Sequence, residues 1–350
     1  MLHSLPLLVL ILIFLAAAAV VWLAGVYLSS TTDEMDDRFH MGQALGGMLF
    51  LAITTNLPEI AITASAALSH NLEIAVGNIL GGIAIQTVVL VLFDVVGLWR
   101  KDALSYYAAS LQLILEGSLV VAVLFLTIMG TQLPPSLVFL RVTPATLLIT
   151  ITWVVGVWLI GKARKALPWQ EKGVPEEVLH GKRSDRKKEK IQRWSTIRIV
   201  IVFLVAALFT LVAGVALEES GNEIAHQIGM SGVVFGSTIL ALATALPEIS
   251  TGLASIRLKA YNLAFSDIFG GNAFLPVLFL LATLLSGEAV LPKAQKADLY
   301  LAALGGVLTI IYIHGLIFRP KRQILHMGID SLLVLICYVL GILGLVTFAR

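Results

Sequence analysis

Leu-Pro-Glu-Ile occurs twice in the chain, at residues 57–60 and 246–249, and the copies lie 189 residues apart. Nineteen residues beyond each Glu stands a polar counterpart, Asn78 after Glu59 and Asp267 after Glu248. A glycine pair closes each copy at the same spacing, Gly81-Gly82 and Gly270-Gly271, and no gap is needed to align the stretches between. The chain therefore carries an internal duplication. Both copies sit in long apolar runs, where an acid at the centre of a bilayer-spanning helix costs roughly 2.5–3.5 kcal/mol on insertion scales. A carboxylate kept twice against that cost needs a compensating group, and a bound cation is the simplest one.

Composition supports the membrane setting. Of 350 residues, 58% are hydrophobic and 13% charged, against about 25% charged in an ordinary soluble domain. Apolar runs of bilayer-spanning length fall near residues 5–28, 42–68, 72–97, 105–129, 143–161, 197–218, 231–256, 261–285, 297–318 and 327–348. The first run lacks a basic flank and is too long for the apolar core of a signal peptide, so it reads as a span. The expected fold is an all-α membrane protein of ten transmembrane helices, in two halves of five at residues 1–161 and 197–350. A basic linker, residues 162–196, joins them.

Five spans per half would turn the second copy over relative to the first, which is an inverted-topology repeat. Positive residues stay cytoplasmic. Arg38, Arg100, Lys101, Arg257, Lys259, Arg319, Lys321, Arg322 and the linker fall on one side, against Arg141, Lys293, Lys296 and Arg350 on the other. Both termini are expected outside and the linker in the cytoplasm. The linker reads as a solvated hinge, with attraction to anionic lipids, about 1 kcal/mol per basic residue, as its second role. Charge alone does not support nucleic-acid binding. Cys337 is the only cysteine, which excludes an intrachain disulfide and a cysteine-based metal site.

Pro58 and Pro247 stand in mid-span. Proline lacks the donor for the carbonyl one turn back and clashes with it, so both helices should break there and free carbonyl oxygens. Discontinuous helices at a repeat interface are how many transporters build ion sites at the midplane. Glu59 and Glu248 follow the prolines directly, Asn78 and Asp267 come from the partner spans, and no Lys or Arg lies inside spans two, three, seven or eight away from their ends. If the halves pack about a two-fold axis, these four side chains converge. All offer oxygen, which suits a hard cation such as calcium and argues against zinc or copper.

At these residues the chain resembles the calcium/cation antiporter superfamily, which includes the sodium/calcium exchangers. The two alpha repeats of that family read approximately G-T-S-L-P-E followed by G-N-x-x-G-S-N, and the likeness covers roughly residues 42–97 and 231–285. It implies that Glu59 and Glu248 bind calcium and the exchanged ion alternately, that Thr55 and Thr244 lend oxygen, and that Asn78 and Asp267 flank the site. It implies a transporter that exchanges calcium for sodium by alternating access, not an enzyme, with inorganic cations as substrates, lipids as surroundings and no cofactor. A small exchanger with a short central loop resembles the prokaryotic members, which implies a cytoplasmic membrane.

The departures from the pattern bear on the driving ion. Asn56 and Ala245 replace the Ser before Leu-Pro-Glu, Thr54 and Ala243 replace the Gly before the Thr, and Gly-Ser-Asn becomes Gly81-Gly82-Ile83 and Gly270-Gly271-Asn272. Ile74 and Leu263 stand where sodium exchangers often carry a sodium-binding Ser. Protons, which need only a carboxylate, are therefore the alternative driving ion, although the G-N-A-x-E signature of calcium/proton exchangers is absent.

Four further features have plainer expectations. Glu116 should make a polar contact with a neighbouring span or mark a shifted helix end, with a proton relay as the other reading. Asp94 should pair with Arg100 and Lys101 at the interface, His314 should be a packing residue, and Asp33-Glu34-Asp36-Asp37 should be a solvated loop. Rival classes are a channel, a non-transporting cation sensor and an intramembrane enzyme. The last would need a paired-Asp, Ser-Lys or His-cluster arrangement that the motif lacks.

Overall fold

A computed structural model describes residues 5–39, 53–97, 102–163, 194–257 and 259–348. The first half comprises α1 (Leu7–Phe39), α2 (Leu57–Leu68), α3 (Leu72–Leu92), which runs on into a π turn at Phe93–Gly97, α4 (Leu104–Ala108), α5 (Leu111–Gly130) and α6 (Pro144–Ala163). The second comprises α7 (Thr196–Ile228), α8 (Gly232–Phe235), a π turn at Gly236–Leu240, α9 (Ala241–Thr244), α10 (Leu246–Arg257) and α11 (Tyr261–Phe274). A 3₁₀ turn, Leu275–Val277, leads from α11 into α12 (Leu278–Ser286), followed by α13 (Lys296–Phe318). A short hairpin, β1 (Gln323–Ile324) with β2 (Met327–Gly328), precedes α14 (Ile329–Phe348).

Among the described residues, seven helices are long and apolar enough to cross a membrane, or eight if the bent pair 236–244 and 246–257 is one span. Leu57–Leu68 and Ile329–Leu345 are shorter apolar helices. The outward faces of α1 and α7 carry exposed leucines such as Leu8, Leu12, Leu204 and Leu208. In a chain with this many apolar helices, such faces meet lipid, which demands only that the backbone be satisfied within each helix.

The duplication extends into backbone structure. The helices α1 and α7 both have 33 residues, and the pairs α1 and α7, α2 and α10, and α3 and α11 each begin 189 positions apart. Contacts between the copies are reciprocal. A Cβ on Gly25 of α1 would lie 2.5 Å from Pro247 Cβ in α10. Its counterpart Gly214 of α7 would place one 3.0 Å from the Pro58 carbonyl and 2.7 Å from Ala61 Cβ in α2. Each long helix thus lies against the proline break of the other copy, and glycine there permits the approach. Reciprocity of this kind is what two-fold packing produces.

Several expectations need correction. The acidic stretch 33–37 is not a loop. It forms the last turns of α1, where Glu34 pairs with Arg38 one turn on at 2.7 Å, a spacing that stabilises helices. Arg38 also donates to the Trp194 carbonyl at 2.9 Å and the Thr196 hydroxyl at 3.0 Å, fastening the end of α1 to the start of α7. Likewise, the sixth run continues as helix to Ile228 rather than ending near 218.

The fourth run is two helices rather than one. Ala109 and Ser110 leave helical geometry between α4 and α5, and the Ser110 hydroxyl caps α5 by accepting from Leu113 N at 3.2 Å. Glu116 is buried within α5 and accepts from Gln112 of the same helix at 2.5 Å. Asp94 is held by backbone groups. It is fully buried and accepts backbone bonds from Leu104 and Gly328, while Arg100 and Lys101 lie outside the described residues, as do residues 164–193 of the linker. His314 is exposed, with Nδ1 2.8 Å from the Ile310 carbonyl and the ring stacked on Phe318.

The two copies differ where α3 meets the π turn Gly236–Leu240. A Cβ on Gly81 would overlap Ser237 Cα, whereas one on the counterpart Gly270 would meet nothing within 4 Å. Overpacking of this kind typically costs about 1–3 kcal/mol. Gly81→Ala should therefore lower the thermal unfolding temperature of the purified chain in detergent, and Gly270→Ala should leave it unchanged. Equal effects of the two would contradict the packing described.

Candidate functional site

The interruptions sit two residues before the prolines. Asn56 and Ala245 are single turn residues between helical segments, and the second-copy pair bends by 51° there. Each proline is then the second residue of a new helix, α2 or α10, where a missing N–H costs no hydrogen bond within the new helix. It still cannot donate to the residue four earlier, Thr54 or Ala243. The following Glu lies in the first turn, where the helix dipole favours a negative charge. One device thus withdraws a donor from a carbonyl and stabilises a carboxylate beside it.

Glu59 and Glu248 are both buried. Gln86 Nε2 of α3 donates to Glu59 Oε1 at 3.2 Å, and the Thr244 side chain of α9 also reaches Glu59. Glu59 Oε2 and both carboxylate oxygens of Glu248 have no hydrogen-bond partner among the described residues. Glu59 and Asp267 both lie close enough to Glu248 to repel its charge. Asp267, half-buried on α11, accepts from Thr251 Oγ1 of α10 at 2.8 Å. Carboxylates from both copies therefore face one another through a few neutral donors.

Among the expected residues, Glu59, Thr244, Glu248 and Asp267 come together directly. Asn78 is fully buried on α3, and its amide oxygen and nitrogen both lack a partner among the described residues. Its backbone N abuts Gly236 of the π turn, where a Cβ would stand 3.2 Å away. Thr55 is buried and accepts from Asn56 Nδ2 at 3.4 Å. No group of three or more His, Cys, Asp or Glu side chains converges tightly enough to hold a metal by itself among the described residues. An ion here would depend on hydroxyl, amide and backbone oxygens as well as on the carboxylates.

Gln86, Thr251 and Asn272 belong to the same polar interior and were not singled out as site residues from the sequence. Asn272 Nδ2 donates to Thr87 Oγ1 at 3.0 Å and to the Ile83 carbonyl at 3.4 Å. Gln86 lies eight residues, two helical turns, after Asn78 and so on the same face of α3, which was the available signal. Its counterpart in the second copy is Leu275, so a search for duplicated polar positions passes over it.

With this geometry in place, comparison with known proteins identifies the chain. The sequence profile described as "Sodium/calcium exchanger protein" matches residues 9–161 and 198–344. The chain belongs to that family. It is 28% identical over 257 residues to the putative antiporter CaxA of Alkalimonas amylolytica, covering 72% of this chain and 71% of the relative. The solved H+/Ca2+ exchanger CAX superposes with a TM-score of 0.63 at 18% identity, over 98% of this chain and 82% of that one. The sodium-calcium exchanger NCX_Mj gives 0.59 at 15% identity, over 97% and 99%. This family member is thus a multi-pass membrane transporter of the cation/calcium exchanger type, and its relatives are exchangers and antiporters rather than enzymes.

Gln86→Leu converts this position to the residue that its repeat counterpart already has. It removes a donor from a buried carboxylate, an interaction class worth about 1.5–3 kcal/mol. Calcium affinity in equilibrium dialysis should change by roughly 10- to 100-fold with the fold retained. An unchanged affinity would show that Gln86 does not organise the Glu59 side of the site.

Proposed function

We propose that this exchanger-family protein moves calcium in exchange for sodium by alternating access. The ten expected spans would form two inverted five-helix halves around one central site. Glu59 and Glu248 would be the principal ligands, assisted by Thr55, Thr244, Asn78 and Asp267. The observation that carries this reading is the meeting of Glu59 and Glu248 at helix breaks in matching positions of the duplicated sequence, beside Asp267, with no basic residue of those helices between them. The expected setting is a prokaryotic cytoplasmic membrane, with the linker inside and both termini outside.

Coupling follows from charge. An empty site would carry several uncompensated carboxylates through a low-dielectric barrier, which is strongly unfavourable, whereas an ion-loaded site is closer to neutral. The halves therefore exchange orientation only when loaded, and one ion must unload before the other binds. A channel has no such rule, and a cation sensor would bind without flux.

The second reading makes protons the driving ion. It is supported at Ile74, a fully buried apolar side chain where a sodium exchanger would offer a hydroxyl. Leu263, the corresponding residue of the other copy, is exposed and supports neither reading.

The test is labelled calcium uptake into proteoliposomes under an outward sodium gradient, an outward proton gradient, or neither. Sodium-driven uptake is expected. Glu59→Gln and Glu248→Gln should each abolish it while the protein still purifies as a folded species, and full transport by either variant would defeat the assignment. Uptake driven by protons alone would select the second reading.

A further inference from the structure

We propose that Asp94, Asp330 and Ser105 form a second cation site, separate from the Glu59–Glu248 centre, that takes a hard divalent cation. It lies where the π turn Phe93–Gly97 at the end of α3 meets α4, the β1–β2 hairpin and the start of α14. Asp94 is fully buried. Its Oδ1 accepts from Leu104 N at 2.8 Å and its Oδ2 from Gly328 N at 2.6 Å, so both oxygens are fixed in direction.

Asp330, in the first turn of α14, is 5% exposed, and neither of its carboxylate oxygens has a hydrogen-bond partner among the described residues. The Ser105 hydroxyl of α4 is 1% exposed and turned to the Asp330 carboxylate. The two acids bracket one point: a Cβ on Gly328 would lie 2.5 Å from Asp330 Oδ1 and 3.2 Å from Asp94 Oδ2. Ser105 and Ser331 border the Asp330 carboxylate, and the Ser331 hydroxyl shares a hydrogen bond with Tyr312 at 3.2 Å.

Buried carboxylates persist when they are paired or coordinate a cation. The start of α14 supplies only part of a charge, about half a unit for a full helix dipole, and two acids are present. The cationic side chains at this end of α13, Arg319 and Lys321, lie over the Tyr106 ring, 5.3 and 5.2 Å from its centre. Two carboxylates with neutral hydroxyls and no nitrogen or sulfur donor match a hard divalent ion in charge and chemistry, with water completing its shell.

The place is distinct from the central site. Asp94 is eight residues beyond Gln86, about 12 Å along the helix axis. Between them, the Phe93 ring fills the space that a side chain at Gly252 would occupy, one turn beyond Glu248 on α10. The π turn therefore touches both the helix that carries a central carboxylate and the second site, and an ion on Asp94 would stiffen the surface against which α10 rests.

The experiment is equilibrium dialysis of the full-length protein in detergent with radioactive Ca2+ as the probe, in a Glu59→Gln/Glu248→Gln background that disables the centre. One saturable Ca2+ per chain should remain. Adding Asp330→Asn should abolish it, and adding Ser105→Ala should weaken it about tenfold. Ser105→Ala deletes one hydroxyl and leaves both acids, so it carries the test if Asp330→Asn does not fold. No binding in the double-variant background, or binding indifferent to both added changes, overturns the site. Failure of the central assignment reads differently, because wild type and the double variant would then bind alike while Asp330→Asn still removed one ion.

Discussion

Holding Glu59 and Glu248 inside apolar helices, with no basic partner among the described residues, is the constraint on which the rest of this architecture depends. Burying an ionised carboxylate costs several kcal/mol after relaxation. Against that, a helix N-terminus returns about 0.3–1 kcal/mol, up to about 2 when partly buried, and a hydrogen bond to a charged group about 1.5–3 kcal/mol. Glu59 has the N-terminus of α2, the Gln86 amide and Thr244 nearby. Glu248 has the N-terminus of α10 and no hydrogen-bond partner on either oxygen among the described residues, with Glu59 and Asp267 repelling it. Glu248 thus has two acids against it and, among the described residues, chiefly the start of α10 in its favour. Placing the prolines in the first turns of α2 and α10 turns helix interruptions, otherwise a liability in a bilayer, into the principal support available.

The two copies are alike in backbone and unlike in chemistry. Their opening helices match in length, their breaks match in position, and the Gly25–Pro247 and Gly214–Pro58 contacts mirror each other. Polar side chains do not mirror. Gln86 faces Glu59 while its counterpart is Leu275, Thr251 serves Asp267 while its counterpart is Ile62, and Asn272 stands where the first copy has Ile83. Each carboxylate therefore has a different neighbour set even though one motif produced both.

Much of this was legible in the sequence because duplication filters chance. Leu-Pro-Glu at matching offsets located both helix interruptions to within two residues, and Glu59, Glu248, Thr244 and Asp267 were found from it. The same filter hid Gln86 and Thr251, whose counterparts are apolar. Apolar length set limits of its own. It ended α1 and α7 too early, because their last turns are polar yet helical, held in α1 by the Glu34–Arg38 pair. It also fused α4 with α5, because Ala109 and Ser110 interrupt the helix through backbone geometry without interrupting hydrophobicity. Asp94 takes hydrogen bonds that proximity in sequence does not show, from the backbone of Leu104 and of Gly328, 234 residues away, while its expected partners Arg100 and Lys101 lie outside the described residues.

The bond from Asn272 to the Ile83 carbonyl joins two positions 189 residues apart, and those positions are each other's counterparts in the duplication. In a pair of copies related by a rotation, a point touches its own image only beside the axis. Asn272, Ile83 and Thr87 therefore mark a seam where the two copies meet at matching positions, so that a substitution at Asn272 is felt in both.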